Sequence, residues 1–389
     1  MATICLHNGT LLSGFSSMEK CGVLIEDGKI GDVFSESRFL KKKFSDSVRI
    51  IDVEGAFIAP GLIDTHIHGF NGNGTDNCST EAVLNMSKDL ANFGVTAFNP
   101  TLYPSSDENM IAAIKEIVGA LGKEEGAKIM GIHLEGPFIS PDKLGVQRPE
   151  TVKAVDTELM ERLWNASEGH IVNMTVAPEI KGMRDLALFC LKKGIVLQAG
   201  HTNAQYQNMV EGMQAGILHS THLFNAMSQM HHRNPGAVGA VLIHPEMSCE
   251  IIADGVHVHP DLLKLLARDK PLDKIVLVTD ALTPTKQEGS PLFANGEEVS
   301  FVEGCFHRVH DDVIAGSALT MIEGVSNLVS YGFSYADAIK CGTANPATIM
   351  HYNKQGMIIP GYAGDVIVFD KNNNVLISII DGTIKKNIL

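Results

Sequence analysis

Two histidines, His66 and His68, stand in the stretch PGLIDTHIHG, residues Pro60–Gly69. A strand throws alternate side chains to opposite faces, so His66 and His68 point the same way. Neutral imidazole is a ready nitrogen ligand, and two on one face of a buried strand suit a divalent metal such as zinc. A lone HxH is more often a pair of histidines satisfied by hydrogen bonds. Here the chain also places Glu135, His201, His222 and Asp280 at the ends of other apolar runs. That recurrence turns the spacing into a metal-site expectation.

These residues need elements that bring their ends together. Short apolar runs alternate with helical patterns from residue 60 onward. The expected strands are Leu62–His66, Val95–Asn99, Ile129–Leu134, Ile171–Val176, Ile195–Ala199, Ile217–His222, Cys249–Ala253 and Lys274–Thr279. Helical segments follow most of them, as in Thr80–Asn92, Asp107–Ala120, Asp156–Asn165 and Ala204–Gln214. Eight such units in about 250 residues predict an α/β fold of the (β/α)8 TIM-barrel kind, whose chemistry sits at the C-terminal ends of the strands. An open doubly wound sheet is the alternative. It is weakened because no glycine-rich phosphate loop follows the first strand. Strands one, three, five, six and eight would deliver His66 and His68, Glu135, His201, His222 and Asp280 to one mouth.

Both ends of the chain read as short strands. Thr3–Leu6, Val23–Glu26 and Ile50–Val53 are β-rich, as are Asp365–Asp370, Val375–Ile380 and Thr383–Ile384, with Asp27–Gly28 and Asp381–Gly382 as hairpin turns. We expect residues 1–59 plus 356–389 to form one small β-sandwich domain, and 60–355 the barrel. Two separate β extensions are the alternative. Residues 285–312 carry turn signals and read as a hairpin insertion.

The 389 residues, 44% hydrophobic and 20% charged, are those of a globular protein with room for one large barrel. A formal charge of −14 argues against nucleic acid or an anionic membrane as partner, yet leaves room for an anionic substrate in a local positive pocket. Seven scattered cysteines with no CxxC pair predict free thiols and a cytoplasmic location. The N-terminal residues do not read as a signal peptide, and no apolar run approaches the roughly 18 residues of a membrane span.

Other polar residues carry blander expectations. His133 shares a face with Glu135 and reads as a core histidine or one behind the ligands. His219 falls by parity on the face opposite His222 and reads as packing. Asp64 shares the face of His66 and His68, where orienting a histidine suits it. His231 and His232 belong to a solvated loop. Cys78 and Cys249 have no ligand spacing.

The segments PGLIDTHIHG, IHLEGPFISP, TVAPE, AGHTNA, THLFNAM, ADGVHV, VTDA and IAGSALTM resemble, in order and over nearly the whole chain, the N-acetylglucosamine-6-phosphate deacetylases of the amidohydrolase superfamily. HLEGPF together with THLFNAM is far more specific than HxH alone. The resemblance implies that Glu135, His201 and His222 hold the main catalytic metal and that His66 and His68 make a second site, for one or two divalent ions per subunit. Some members lack the histidine pair. Many relatives bridge two metals with a carboxylated lysine; no lysine ends a strand here, and Glu135 takes that place. Asp280 would be the catalytic acid and base. Asn225, Ala226, Arg233 and His257 match substrate-contact positions, and the loops Val146–Gln147 and Val313–Ile314–Ala315 would line the pocket. Several members have histidine where this chain has Gln147, which can still bond a sugar hydroxyl or a phosphate oxygen.

The implied reaction is metal-dependent hydrolysis of the acetamide of N-acetylglucosamine 6-phosphate to glucosamine 6-phosphate and acetate. Asp280 would take a proton from the attacking water and return it to the leaving amine. Arg233 offers the bidentate fork that phosphate prefers, and His257 would bind the carbonyl or a sugar hydroxyl. The resemblance also implies a homodimer, with Arg233 or a neighbour reaching across the interface. The residue types leave the metal open among zinc, iron, manganese and cobalt. Another amidohydrolase, acting on a cyclic amide or a related N-acetylated sugar phosphate, would have similar ligands. A non-catalytic barrel would be expected to have lost ligands or acid, and none is missing.

Overall fold

The two ends of the chain interleave in one eight-stranded sheet. The computed structural model describes residues 3–389. Phe57–Pro60 lies between Thr3–Leu12 and Val366–Phe369, with Val375–Ile380 and Thr383–Asn387 beyond it on the C-terminal side. Thr3–Leu12 also pairs with Ser17–Glu26 and, along its first half, with Val48–Asp52. Ile4, Leu6, Val23, Ile25, Ile58, Val366 and Ile377 bury one apolar cluster inside this unit. The two termini therefore build a single sandwich-like body. Its hairpins turn at Asp27–Gly28 and Asp381–Gly382, where both residues have positive φ, as the tightest two-residue hairpin turn requires.

The middle of the chain closes into a parallel barrel. Its strands are Leu62–Ile67, Val95–Leu102, Ile132–Glu135, Ile171–Val176, Val196–Ala199, His219–Ser220, Ser248–Ile252 and Ile275–Val278, each paired with the next. The expected third strand is split, with Lys128–Ile129 pairing separately beside the second. The sixth is only two residues long. Strands eight and one meet at the mouth, where the Asp280 amide donates to His66 O (2.9 Å) and the His68 amide to Ala281 O (2.9 Å).

Helices cover the barrel for the expected reason. Asp107–Ala120 buries Met110, Ala113, Ile114, Ile117 and Ala120, spaced at helical period, and the Ser106 hydroxyl caps it by accepting from the Asn109 amide. Residues 285–317 form more than a hairpin. Leu292–Ala294, Glu297–Val302, Cys305–Arg308 and Ile314–Ser317 make a four-stranded antiparallel sheet over one side of the mouth. Among the described residues no helix is long and apolar enough to cross a membrane.

Candidate active site

The strand ends converge on Glu135. Its carboxylate, 3% exposed, lies at the end of the third strand. Oε1 is 3.1 Å from His201 Nε2 and 3.2 Å from His222 Nε2, and those two nitrogens are 3.2 Å apart. On the other side, His66 Nε2 and His68 Nε2 each lie 3.4 Å from a Glu135 oxygen and 3.4 Å from Asp280 Oδ1. Two compact donor groups result: Glu135, His201 and His222, and beside them His66, His68 and Asp280.

The backbone at these positions is unusual. His201, His222 and Asp280 have φ of 46°, 23° and 50°, in or beside the sparsely populated left-handed region. Each stands just past the end of a strand, so the turn lifts its side chain over the mouth. Gly145, at φ 58°, passes so close to the His201 ring that an added Cβ would lie 3.3 Å from Cε1.

Hydrogen bonds from the far side of the rings decide which nitrogen faces inward. Nδ1–H of His201 donates to Lys143 O (3.0 Å), that of His68 to Thr101 O (3.1 Å) and that of His66 to Glu250 Oε2 (3.0 Å). Carbonyl and carboxylate oxygens can only accept, so the proton sits on Nδ1 and Nε2 presents a lone pair. His66 Nε2 has no hydrogen-bond partner. Lone pairs aimed at one another and at carboxylate oxygens repel unless a cation lies among them. The nitrogen and oxygen donor set is one that zinc, iron, manganese or cobalt accepts. The residues present therefore fit a divalent cation.

Charge in the site follows from this crowding. Burial pushes the Glu135 carboxyl up, but His201, His222 and His66 hold it well below the usual range. Burial likewise acts against Asp280, and His66 and His68 outweigh it and lower its pKa. Burial would lower His66, yet Asp280, Glu250 and Glu135 push it well above the ordinary imidazole value, a demand for positive charge at Nε2 that a bound cation would meet in place of a proton.

A cavity of about 270 Å³ opens over these groups. Val146, Gln147, Asn225, Ala226, His257, Val313, Ile314 and Ala315 line it, together with His68, Glu135, His201, His222 and Asp280. Gln147 is buried and its Nε2 donates to Glu135 Oε2 (2.6 Å), which leaves its carbonyl oxygen without a partner. His257 donates Nδ1–H to Asp254 Oδ2 (2.6 Å) and so keeps Nε2 free. Arg233 is not brought in. It is exposed on its loop, where its guanidinium donates to His232 Nε2 (2.8 Å).

Several neighbours differ from expectation. Asp64 does not orient a histidine ring. Its oxygens accept from the Thr279 hydroxyl (2.6 Å) and amide and from the His66 amide, while burial pushes it up to about 7. His219 lies inside the barrel, with Nε2 3.8 Å from Glu250 Oε1, because the chain leaves strand geometry only after it and parity cannot be carried through to His222. His133, by contrast, is where it was expected, behind the ligands, bonded to Thr101 and Thr175 and set edge-on to His66. Three contributors were not singled out from the sequence. Tyr103 stacks on His68 at 3.8 Å and lines the cavity. Asp254 holds His257. Glu250 backs His66. The signal for Glu250 was available: a charged residue inside the apolar run CEIIA.

Comparison with known proteins bears on this geometry. A profile of the amidohydrolase family matches residues 57–385. N-acetylglucosamine-6-phosphate deacetylase of Bacillus subtilis (strain 168) is 32% identical over 366 residues, which cover 92% of this chain and 91% of that protein. The enzyme of the same name from Haemophilus influenzae is 31% identical over 87% of this chain and 89% of its own. The crystal structure of N-acetylglucosamine-6-phosphate deacetylase from Pasteurella multocida superposes with a TM-score of 0.92 at 27% identity, over 99% of this chain and 100% of that one.

Proposed function

The chain belongs to the amidohydrolase family, and from that premise we propose that it hydrolyses the acetamide of N-acetylglucosamine 6-phosphate to glucosamine 6-phosphate and acetate. The observation that carries the reading is the pair of adjacent donor groups, one built on Glu135 and the other on Asp280, beneath a cavity at the barrel mouth.

Glu135, His201 and His222 would hold the main divalent cation, and His66, His68 and Asp280 a second, with zinc or iron best suited to the mixed nitrogen and carboxylate donors. Such an ion supplies Lewis acidity, which acidifies water and polarises an amide carbonyl. The chain supplies the rest. Asp280 accepts the proton of the attacking water and passes it to the departing nitrogen, so that the amine leaves neutral. A carboxylate with a depressed pKa is ionised and ready to accept. His257, its Nδ1 occupied by Asp254, aims Nε2 at the substrate. Gln147 keeps its carbonyl oxygen and the second N–H of its amide for substrate, so it can bond a sugar hydroxyl or a phosphate oxygen.

Arg233 stands outside the cavity of its own chain, and we assign it to the phosphate of substrate held by a second copy in a homodimer. The location we propose is the cytoplasm, where a reducing milieu would keep all seven cysteines as the free thiols found here.

The test is a substrate panel with cation content measured on the same sample: N-acetylglucosamine 6-phosphate, its unphosphorylated form, its galacto epimer, dihydroorotate and hydantoin. The phosphorylated gluco sugar should have the highest kcat/KM. Faster turnover of a cyclic amide would overturn the assignment.

A further inference from the structure

Glu250 is fully buried in the seventh barrel strand and belongs to none of the groups assigned above. Its Oε2 accepts from His66 Nδ1 (3.0 Å) and from the backbone amide of His222 (3.1 Å). Its Oε1 accepts from Gln198 Nε2 (3.0 Å). One oxygen thus touches a residue from each of the two donor groups. We propose that Glu250 is a positioning residue that couples the two cation sites, setting the tautomer and donor strength of His66 at the second site and the backbone turn of His222 at the first. The inference rests on the two-site reading given under Proposed function.

Three features carry it. The first is an asymmetry among the ligands. His68 and His201 donate Nδ1–H to backbone carbonyls, whereas His66 donates to a carboxylate. A carboxylate partner raises the basicity of the opposite nitrogen more than a carbonyl does, so His66 is the strongest imidazole donor of the set. The second is charge. Two divalent ions bring four positive charges, and Glu135 and Asp280 offset two. Glu250, behind His66 in a buried site, offsets a third where water cannot screen it. The third is backbone. His222 sits at φ 23°, and the Glu250 bond to its amide holds the turn that aims its ring at Glu135.

The test titrates cobalt(II) into metal-free protein against a chromophoric chelator, for the wild type, Glu250→Gln, Glu250→Ala and His66→Ala, with circular dichroism to check folding. Glutamine keeps the shape and one acceptor oxygen but removes the charge. Removal of an outer partner of a metal ligand typically costs about 10–100-fold in metal affinity. Glu250→Gln should bind the first equivalent as the wild type does and the second that much more weakly. Glu250→Ala, which also frees the His222 amide, should weaken both equivalents. Two equivalents bound by Glu250→Gln as tightly as by the wild type would overturn the coupling role alone. A single equivalent in the wild type, unchanged in His66→Ala, would overturn the two-site reading and the inference with it. A second measurement does not depend on the Glu250 variants. In zinc-loaded, 15N-histidine-labelled wild type, the His66 ring, identified by its loss in His66→Ala, should carry its proton on Nδ1. A proton on Nε2 overturns the inference.

Discussion

Asp280 is the carboxylate of the second donor group, beside His66 and His68, which lower its pKa. Asparagine in its place keeps the volume but cannot accept and return a proton. General acid–base catalysis contributes about 10²–10⁴-fold, so Asp280→Asn should lower kcat by that factor. The cation held by Glu135, His201 and His222 should remain, as metal analysis of the same variant can show. Near-normal kcat with a lowered melting temperature would make Asp280 a structural residue. His201 and His222 stand differently, because each offers its lone pair to the main site. His201→Ala or His222→Ala should strip that cation and nearly all activity. Metal content retained together with full turnover in both variants would remove them from the ligand set.

At the scale of elements the weak seam of the barrel lies between strands eight and one, which are joined by a few mouth hydrogen bonds rather than a full ladder. Asp64 and Thr279 bind that seam from inside. Thr279→Val keeps the shape and removes the donor, leaving a buried carboxyl with amide partners only. The expected loss is about 1–3 kcal/mol in urea unfolding, with the main-site cation unchanged. Unaltered stability would show that the amides alone satisfy Asp64. The loop that carries Arg233 makes a second element-scale prediction. A charge-assisted hydrogen bond is worth about 1.5–3 kcal/mol. Arg233→Ala should therefore lower kcat/KM for the phosphorylated sugar by about 10- to 100-fold and spare the unphosphorylated one. Since the loop lies outside its own cavity, mixing Arg233→Ala with Asp280→Asn chains should restore activity by forming one intact site per heterodimer. Equal losses on both substrates would make the arginine structural.

For the whole molecule, a partly buried lysine ties the barrel to two aspartates of the terminal sheet. Lys128 Nζ, beside the second barrel strand, lies 2.6 Å from Asp365 and 2.9 Å from Asp381. Removing the lysine leaves Asp365, 6% exposed, without its cation. Breaking a buried pair in this way costs about 3–5 kcal/mol, and the partial exposure of Lys128 puts Lys128→Met at the lower end. Burial pushes the lysine down in pKa, but Asp365 and Asp381 outweigh it and raise the value above 10.5. A raised folded-state pKa means stabilisation that is complete below the unfolded value and lost as pH climbs through the folded one. The gap between wild type and Lys128→Met should hold steady from neutral pH upward and narrow above about pH 10.4. A gap independent of pH across that range would show that the loss comes from packing of the lysine stem.

Much of this was legible in the sequence, because periodicity and strand-end position are local properties. The eight apolar runs followed by helical patterns specify a barrel. In a barrel, strand ends share one mouth wherever they lie along the chain, so Glu135, His201, His222, His66, His68 and Asp280 could be named from order alone. Tertiary structure decided what depends on distance and direction. The left-handed turns at His201, His222 and Asp280 appear only in the folded mouth, although histidine and aspartate tolerate that region better than most residues. Parity misplaced His219 because the sixth strand ends after two residues. Asp64 met Thr279 rather than a histidine ring because strands one and eight, more than 200 residues apart in sequence, are neighbours only once the barrel closes. Glu250 gained its meaning in the same way: a carboxylate in an apolar strand is costly by itself, and only the fold supplies the His66 ring and the His222 amide that satisfy it.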